Sequence, residues 1–147
     1  MVDSFKQIAI GSDHAGFTVK ENIKLRLSDY SFHDFGTFSE APMDYPDTAH
    51  PLAKAVQSGE YKYGILICGS GNGVAIVANK YTGIRATICW NEEITRLARL
   101  HNNANIIVLP ARFISKDEAL QFVNIFLSTE FEGGRQQRRV DKITNTL

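Results

Sequence analysis

The chain has 147 residues, 44% of them apolar and 22% charged, with 16 basic and 16 acidic side chains and no formal net charge. That length gives one domain with a real core and would cramp two. The charge balance argues against nucleic acid and against a membrane surface, both of which demand a basic excess.

The elements alternate along the chain. Residues 6–11 (KQIAIG) read as a first strand, followed by a helix with Val19, Ile23 and Leu27 on one face. A weaker strand covers 31–35 and ends at Gly36. After a loop at 36–45, a helix spans roughly 46–58, with Pro46 suited to its first turn and Pro51 requiring a late start or a kink. The run 63–68 (YGILIC) is the clearest strand, apolar enough to be buried on both faces. A glycine-rich turn leads into a helix at 74–81. A strand at 84–90, a helix at 92–102 with Ile94, Leu97 and Ala98 on one face, and a strand at 105–109 follow. A helix at 116–128 turns Leu120, Val123 and Leu127 inward, and the polar tail 135–143 reads as helical. Five strand–helix alternations with short connections predict an α/β fold of three layers, a parallel sheet covered on both faces. Cys68 and Cys89 make no disulfide framework and point to a reducing compartment. The first ten residues lack the apolar run of a signal peptide. No stretch approaches the ~20 apolar residues that span a bilayer. A cytoplasmic, single-domain protein is expected.

Sheets of this kind bind ligands beyond the carboxyl ends of their strands. After the first strand stand Asp13 and His14, either an N-cap with a solvated neighbour or a pair of ligand contacts. After the third comes Cys68-Gly69-Ser70-Gly71-Asn72-Gly73. Its glycines let backbone N–H groups converge as an anion nest, although the spacing matches neither the dinucleotide fingerprint nor a P-loop. A cysteine at that point is either a small buried hydrophobe or a thiolate favoured by the adjoining N–H groups. The glycine nest favours the thiolate. Cys89, inside a strand, reads as core. His101 and Asn102 end the fourth helix, where the imidazole can cap the helix or exchange protons. Arg112 follows the fifth strand. Arg135 and Arg139 lie one helical turn apart after Gly133-Gly134, spaced either for a phosphate clamp or for a solvated basic tail. No His, Cys or carboxylate pair has metal-ligand spacing, so no metal is expected.

Seven segments taken together resemble the type B ribose-5-phosphate isomerases, a family shared with the galactose-6-phosphate isomerase subunits. They are GSDHAG at 11–16, DYPD at 44–47, CGSGNG at 68–73, NK at 79–80, GIRA at 83–86, HNNAN at 101–105 and GGRxxxR at 133–139. The resemblance implies a Rossmann-like sheet of five parallel strands and a homodimer, or a tetramer built from two of them, with shared active sites. It implies a sugar phosphate substrate within the non-oxidative pentose phosphate pathway, and no cofactor. By the same resemblance Cys68 is the base acting between C1 and C2, Ser70 lies beside the reacting oxygens, and the 69–73 loop stabilises an enediolate. His101 opens the ring with help from Asp13. His14, Arg112, Arg135 and Arg139 hold the phosphate, and Asn102 holds the sugar. His101, Asn102 and the arginines reach a neighbouring subunit's site, against which the tail from about 133 packs. Val74 stands where another branch of the family carries a glutamate base, which places this chain with the cysteine branch. Gln136 replaces a histidine common in the tail. Six-carbon sugar phosphates, and a non-catalytic phosphosugar sensor, are the rival readings.

Overall fold

The computed structural model describes residues 7–145. Lys6 of the expected first strand and the last two residues of the tail lie outside them. The strands are β1 (Gln7–Ser12), β2 (Ser31–Asp34), β3 (Gly64–Cys68), β4 (Ala86–Ile88) and β5 (Ile106–Pro110). The helices are α1 (Phe17–Arg26), α2 (Pro46–Gln57), α3 (Asn72–Ala78), α4 (Glu92–Leu100), α5 (Lys116–Ser128) and α6 (Arg135–Asn145). All strand pairs are parallel, in the order β2-β1-β3-β5-β4. No helix among the described residues is long and apolar enough to cross a membrane.

The period of two along each strand divides the core. Ala9, Leu66, Ile106 and Val108 face one cluster with Leu52 and Val56 of α2 and Val74 and Ala78 of α3. Ile8, Ile10, Ile65, Ile67, Ile107 and Leu109 face the other, with Val19 and Ile23 of α1, Ala98 of α4, and Phe122, Val123 and Phe126 of α5. The result is the three-layer α/β arrangement. The strand order reverses between β1 and β3, and crevices for ligands form where such a reversal separates the strand ends.

Several boundaries differ from the periodicity. The fourth strand shrinks from 84–90 to Ala86–Ile88, because the Arg85 N–H turns to the Asn105 side chain at 2.8 Å instead of the ladder. Helix α2 starts at Pro46 and runs through Pro51, which is exposed. Helix α3 starts two residues early, at Asn72. In α5 the inward face is Ala119, Phe122, Val123 and Phe126, leaving Leu120 and Leu127 half-buried. The largest departure is α4. Ala98 is buried as expected, but Ile94 and Leu97 are only half-buried, and polar Thr95 and Arg99 point inward. Thr95 settles its hydroxyl on the Asn91 carbonyl at 2.7 Å, and Arg99 fills its donors from neighbouring segments. The apolar pair of α4 is thereby left lining an open groove.

Candidate active site

Cys68 is the last residue of β3, 5% exposed. Its Sγ accepts a hydrogen bond from the Gly71 N–H at 3.2 Å. Gly71 reaches that position with φ of +82°, a conformation that costs an L side chain. Cys89, by contrast, is buried in the core, where desolvation pushes its thiol up against weaker opposing bonds from Thr87 and Thr95.

The backbone then gathers the neighbours. The Asp13 N–H donates to the Ile67 carbonyl at 3.1 Å, which ties the end of β1 to the end of β3. The carbonyls of Cys68 and Gly69 accept the N–H groups of Ala111 and Arg112 at 2.9 and 3.0 Å, bringing in the segment after β5. The Arg112 side chain lies over Gly69 so closely that a Cβ there would sit 3.2 Å from Nη1. Asp13, His14, Cys68, Gly69, Ser70, Gly73 and Arg112 thus line one cleft of about 400 Å³.

Asp13 is an N-cap as well as a wall of the cleft, since Oδ1 accepts the Gly16 N–H at 3.0 Å. His14 Nδ1 accepts the Met43 N–H at 3.3 Å. A neutral imidazole held this way carries its proton on Nε2, which leaves that nitrogen as a donor. Ser70 Oγ accepts the Asn72 N–H at 3.2 Å. Two aromatic residues without an expected role, Tyr45 and Phe113, complete the lining. Tyr45 packs directly on Gly73, where a Cβ would come within 2.6 Å of its ring. The DYPD segment was the available signal for it.

Gly71 and Asn72, also expected at the site, belong to the same loop but do not line the cleft, and four further expected residues lie away from it. His101 caps α4, with Nε2 at 3.7 Å from Glu132 Oε2. With Asn102 it lines a separate groove of about 600 Å³ whose apolar walls include Ile88, Trp90, Ile94 and Leu97. Arg135 and Arg139 stand exposed on α6. Among the described residues no three His, Cys, Asp or Glu side chains gather as a metal site.

The family model for ribose/galactose isomerases matches residues 8–143. The chain belongs to that family. Among its relatives, ribose-5-phosphate isomerase B of Escherichia coli is 42% identical over 141 residues, covering 95% of each chain. The D-erythrulose-4-phosphate isomerase of Pectobacterium atrosepticum is also 42% identical, over 92% of this chain and 91% of its own. A ribose 5-phosphate isomerase structure from Thermotoga maritima superposes with a TM-score of 0.92 at 48% identity, covering 95% of this chain and 98% of the other. Family membership makes the protein an isomerase, and the sheet described above is the family's fold.

Proposed function

We propose that this isomerase interconverts ribose 5-phosphate and ribulose 5-phosphate, with Cys68 as the base. The hydrogen bond from the Gly71 N–H to Cys68 Sγ, at the floor of a cleft that also holds His14 and Arg112, carries this reading. An aldose–ketose interconversion reduces C1 and oxidises C2 of the same molecule, so no external electron carrier enters the balance. Cys68 thiolate takes the proton from C2, the electron pair forms the C1–C2 double bond of a cis-enediolate, and the thiol returns the proton to C1. The hydroxyl proton passes from O2 to O1 in the same exchange. The Gly71 and Asn72 N–H groups already bond to Cys68 Sγ and Ser70 Oγ, and the remaining N–H groups of the 69–73 loop stabilise the developing charge, at a typical ~2.7–4 kcal/mol per donor.

The phosphate is held by the Nε2 proton of His14 and by Arg112, with Arg135 and Arg139 completing the clamp. Ribose 5-phosphate arrives as a furanose, and His101 moves the ring-oxygen proton with Asp13 assisting. Asn102 holds a sugar hydroxyl. Because His101, Asn102, Arg135 and Arg139 lie off their own chain's cleft, they act in the cleft of a second copy. The apolar groove beside His101 is the surface on which that copy docks. The working protein is then a homodimer.

The test is ribulose 5-phosphate formation from ribose 5-phosphate by purified protein with a chelator and no added cofactor. Allose 6-phosphate and erythrulose 4-phosphate run in parallel. Turnover on the pentose sustains the assignment. Turnover confined to the six- or four-carbon sugar reassigns the substrate, and silence on all three, with sugar phosphate still bound, leaves a phosphosugar sensor.

A further inference from the structure

Arg99 is the one charged residue of α4 that is buried, at 3% exposure. A guanidinium placed there keeps its charge and needs its donors filled. Among the described residues no carboxylate comes within ion-pair distance of it. Four neutral acceptors take its donors instead. Nε donates to the Thr129 carbonyl at 3.0 Å, and Nη1 to Asn103 Oδ1 at 2.9 Å and the Ala104 carbonyl at 2.7 Å. Nη2 donates to the Tyr63 hydroxyl at 3.0 Å. The rings of Tyr63 and Phe126 flank the guanidinium, with centroids at 5.0 and 5.6 Å.

The destinations of these bonds matter more than their number. Asn103 and Ala104 belong to the turn that carries His101 and Asn102. Asn103 holds a left-handed conformation there, φ +47°, and its carbonyl also accepts Arg85 Nε at 2.9 Å. Thr129 opens the segment that reaches Glu132, whose N–H donates to the Leu100 carbonyl at 3.1 Å and whose carboxylate faces His101. Gly133, Gly134 and then Arg135 and Arg139 of α6 follow. An apolar side chain would plug the same core position more cheaply. Only a planar fork joins both segments at once.

We propose that Arg99 is the positioning residue for the His101 half of the site, locking the 101–104 turn and the 129–132 segment into one unit that presents His101 and the α6 arginines together. This rests on the isomerase reading, in which His101 opens the sugar ring.

The test compares three variants with the wild-type enzyme. Asn103→Gly suits the positive φ, so the backbone is retained while the Arg99 contact to the side chain is lost. Tyr63→Phe removes a different Arg99 hydrogen bond, one that leads to neither segment. His101→Ala calibrates the assay. Ribose 5-phosphate must be opened before C2 can react. Ribulose 5-phosphate cannot close a furanose, because its C5 oxygen carries the phosphate. The ratio of the two kcat values at saturation, which the equilibrium constant does not fix as it fixes the ratio of kcat/KM, therefore reports ring opening. Asn103→Gly should lose about tenfold in the ribose direction relative to the ribulose direction, a fraction of the ~10²–10⁴ that a whole acid–base group supplies. It should also shift the His101 imidazole resonance. Tyr63→Phe should lower Tm while leaving both readouts in place. An Asn103→Gly enzyme with the wild-type ratio and an unmoved His101 resonance overturns the Arg99 proposal. No directional effect in His101→Ala overturns the ring-opening reading instead, and the resonance then decides Arg99 by itself.

Discussion

The Gly71 N–H donates to Cys68 Sγ across 3.2 Å, at the point where β3 gives way to α3. The contact joins the group proposed to carry the proton to the loop proposed to hold the developing charge. Cys68→Ala should therefore fold and bind the sugar phosphate while losing about 10²–10⁴ in turnover, the share of a general base. Cys68→Ser should lose nearly as much, because a hydroxyl is far less acidic than a thiol. Solvent deuterium incorporation into the sugar's C–H positions should vanish together with turnover. Near-normal exchange in Cys68→Ala would remove the base assignment. Gly71→Ala tests the donor. Its φ of +82° and a Cβ only 3.0 Å from Val108 Cγ1 would strain the turn by ~1–3 kcal/mol and draw the N–H off the sulfur.

The centre of the sheet was legible because β1, β3 and β5 are buried on both faces. YGILIC at 63–68 has no other way to be buried in a chain of this size. The cleft was legible because its residues stand immediately after β1, β3 and β5, and parallel pairing brings those ends together. The inward face of α4 was not. Thr95 and Arg99 look like surface residues by periodicity, and their acceptors come from Asn91, Tyr63, Asn103, Ala104 and Thr129, some of them distant in sequence. Tyr45 was missed for a related reason. Its role follows from packing on Gly73 across the loop, a contact that no spacing within DYPD announces.

Lys20 is fully buried and meets Asp34 Oδ2 at 2.5 Å, while Lys24 reaches the same oxygen at 2.7 Å. Burial alone would push the Asp34 carboxyl up. The hydrogen bonds from Lys20, Lys24 and the Gly36 N–H, with the charge of Lys20, outweigh it and hold the carboxyl below its ordinary value of 3.8. A depressed carboxylate stabilises the fold above its unfolded pKa, and that stability is lost as pH falls through the folded value. Asp34→Asn should thus cost about 3 kcal/mol near neutrality by leaving a buried ammonium short of its partner. That corresponds to a fall in Tm on the order of 10 °C. The gap between wild type and variant should narrow as pH drops below 3.8. Thermal denaturation of both at pH 7 and pH 3 measures it, and a gap that does not narrow would refute the coupling.

Ser12 offers the opposite case. It is fully buried at the end of β1, and its hydroxyl has no hydrogen-bond partner among the described residues. An unsatisfied buried hydroxyl costs about 1–3 kcal/mol, so Ser12→Ala should leave Tm unchanged or raise it. A clear loss of stability would mean that the hydroxyl has a partner in solution.

The separation of His101 from the Cys68 cleft yields the sharpest prediction. If each site takes Cys68 from one subunit and His101 from the other, Cys68→Ala and His101→Ala homodimers each carry two crippled sites. Mixing the two after dissociation forms heterodimers. In a heterodimer one site receives both lesions and the other receives neither, because the intact Cys68 and the intact His101 come from different chains. Random reassortment makes half the dimers mixed, so activity should recover to about a quarter of wild type. The same recovery should follow, at substrate well below KM, when Arg139→Ala replaces His101→Ala as the second variant. The two variants should differ when assayed singly. Loss of Arg139 should raise KM more than it lowers kcat, as for a contact made equally in ground and transition states, whereas loss of His101 should lower kcat in the ribose direction. Mixed variants that stay inactive after confirmed exchange of subunits would place His101 and Cys68 in the same chain's site, and the shared-site reading would fall.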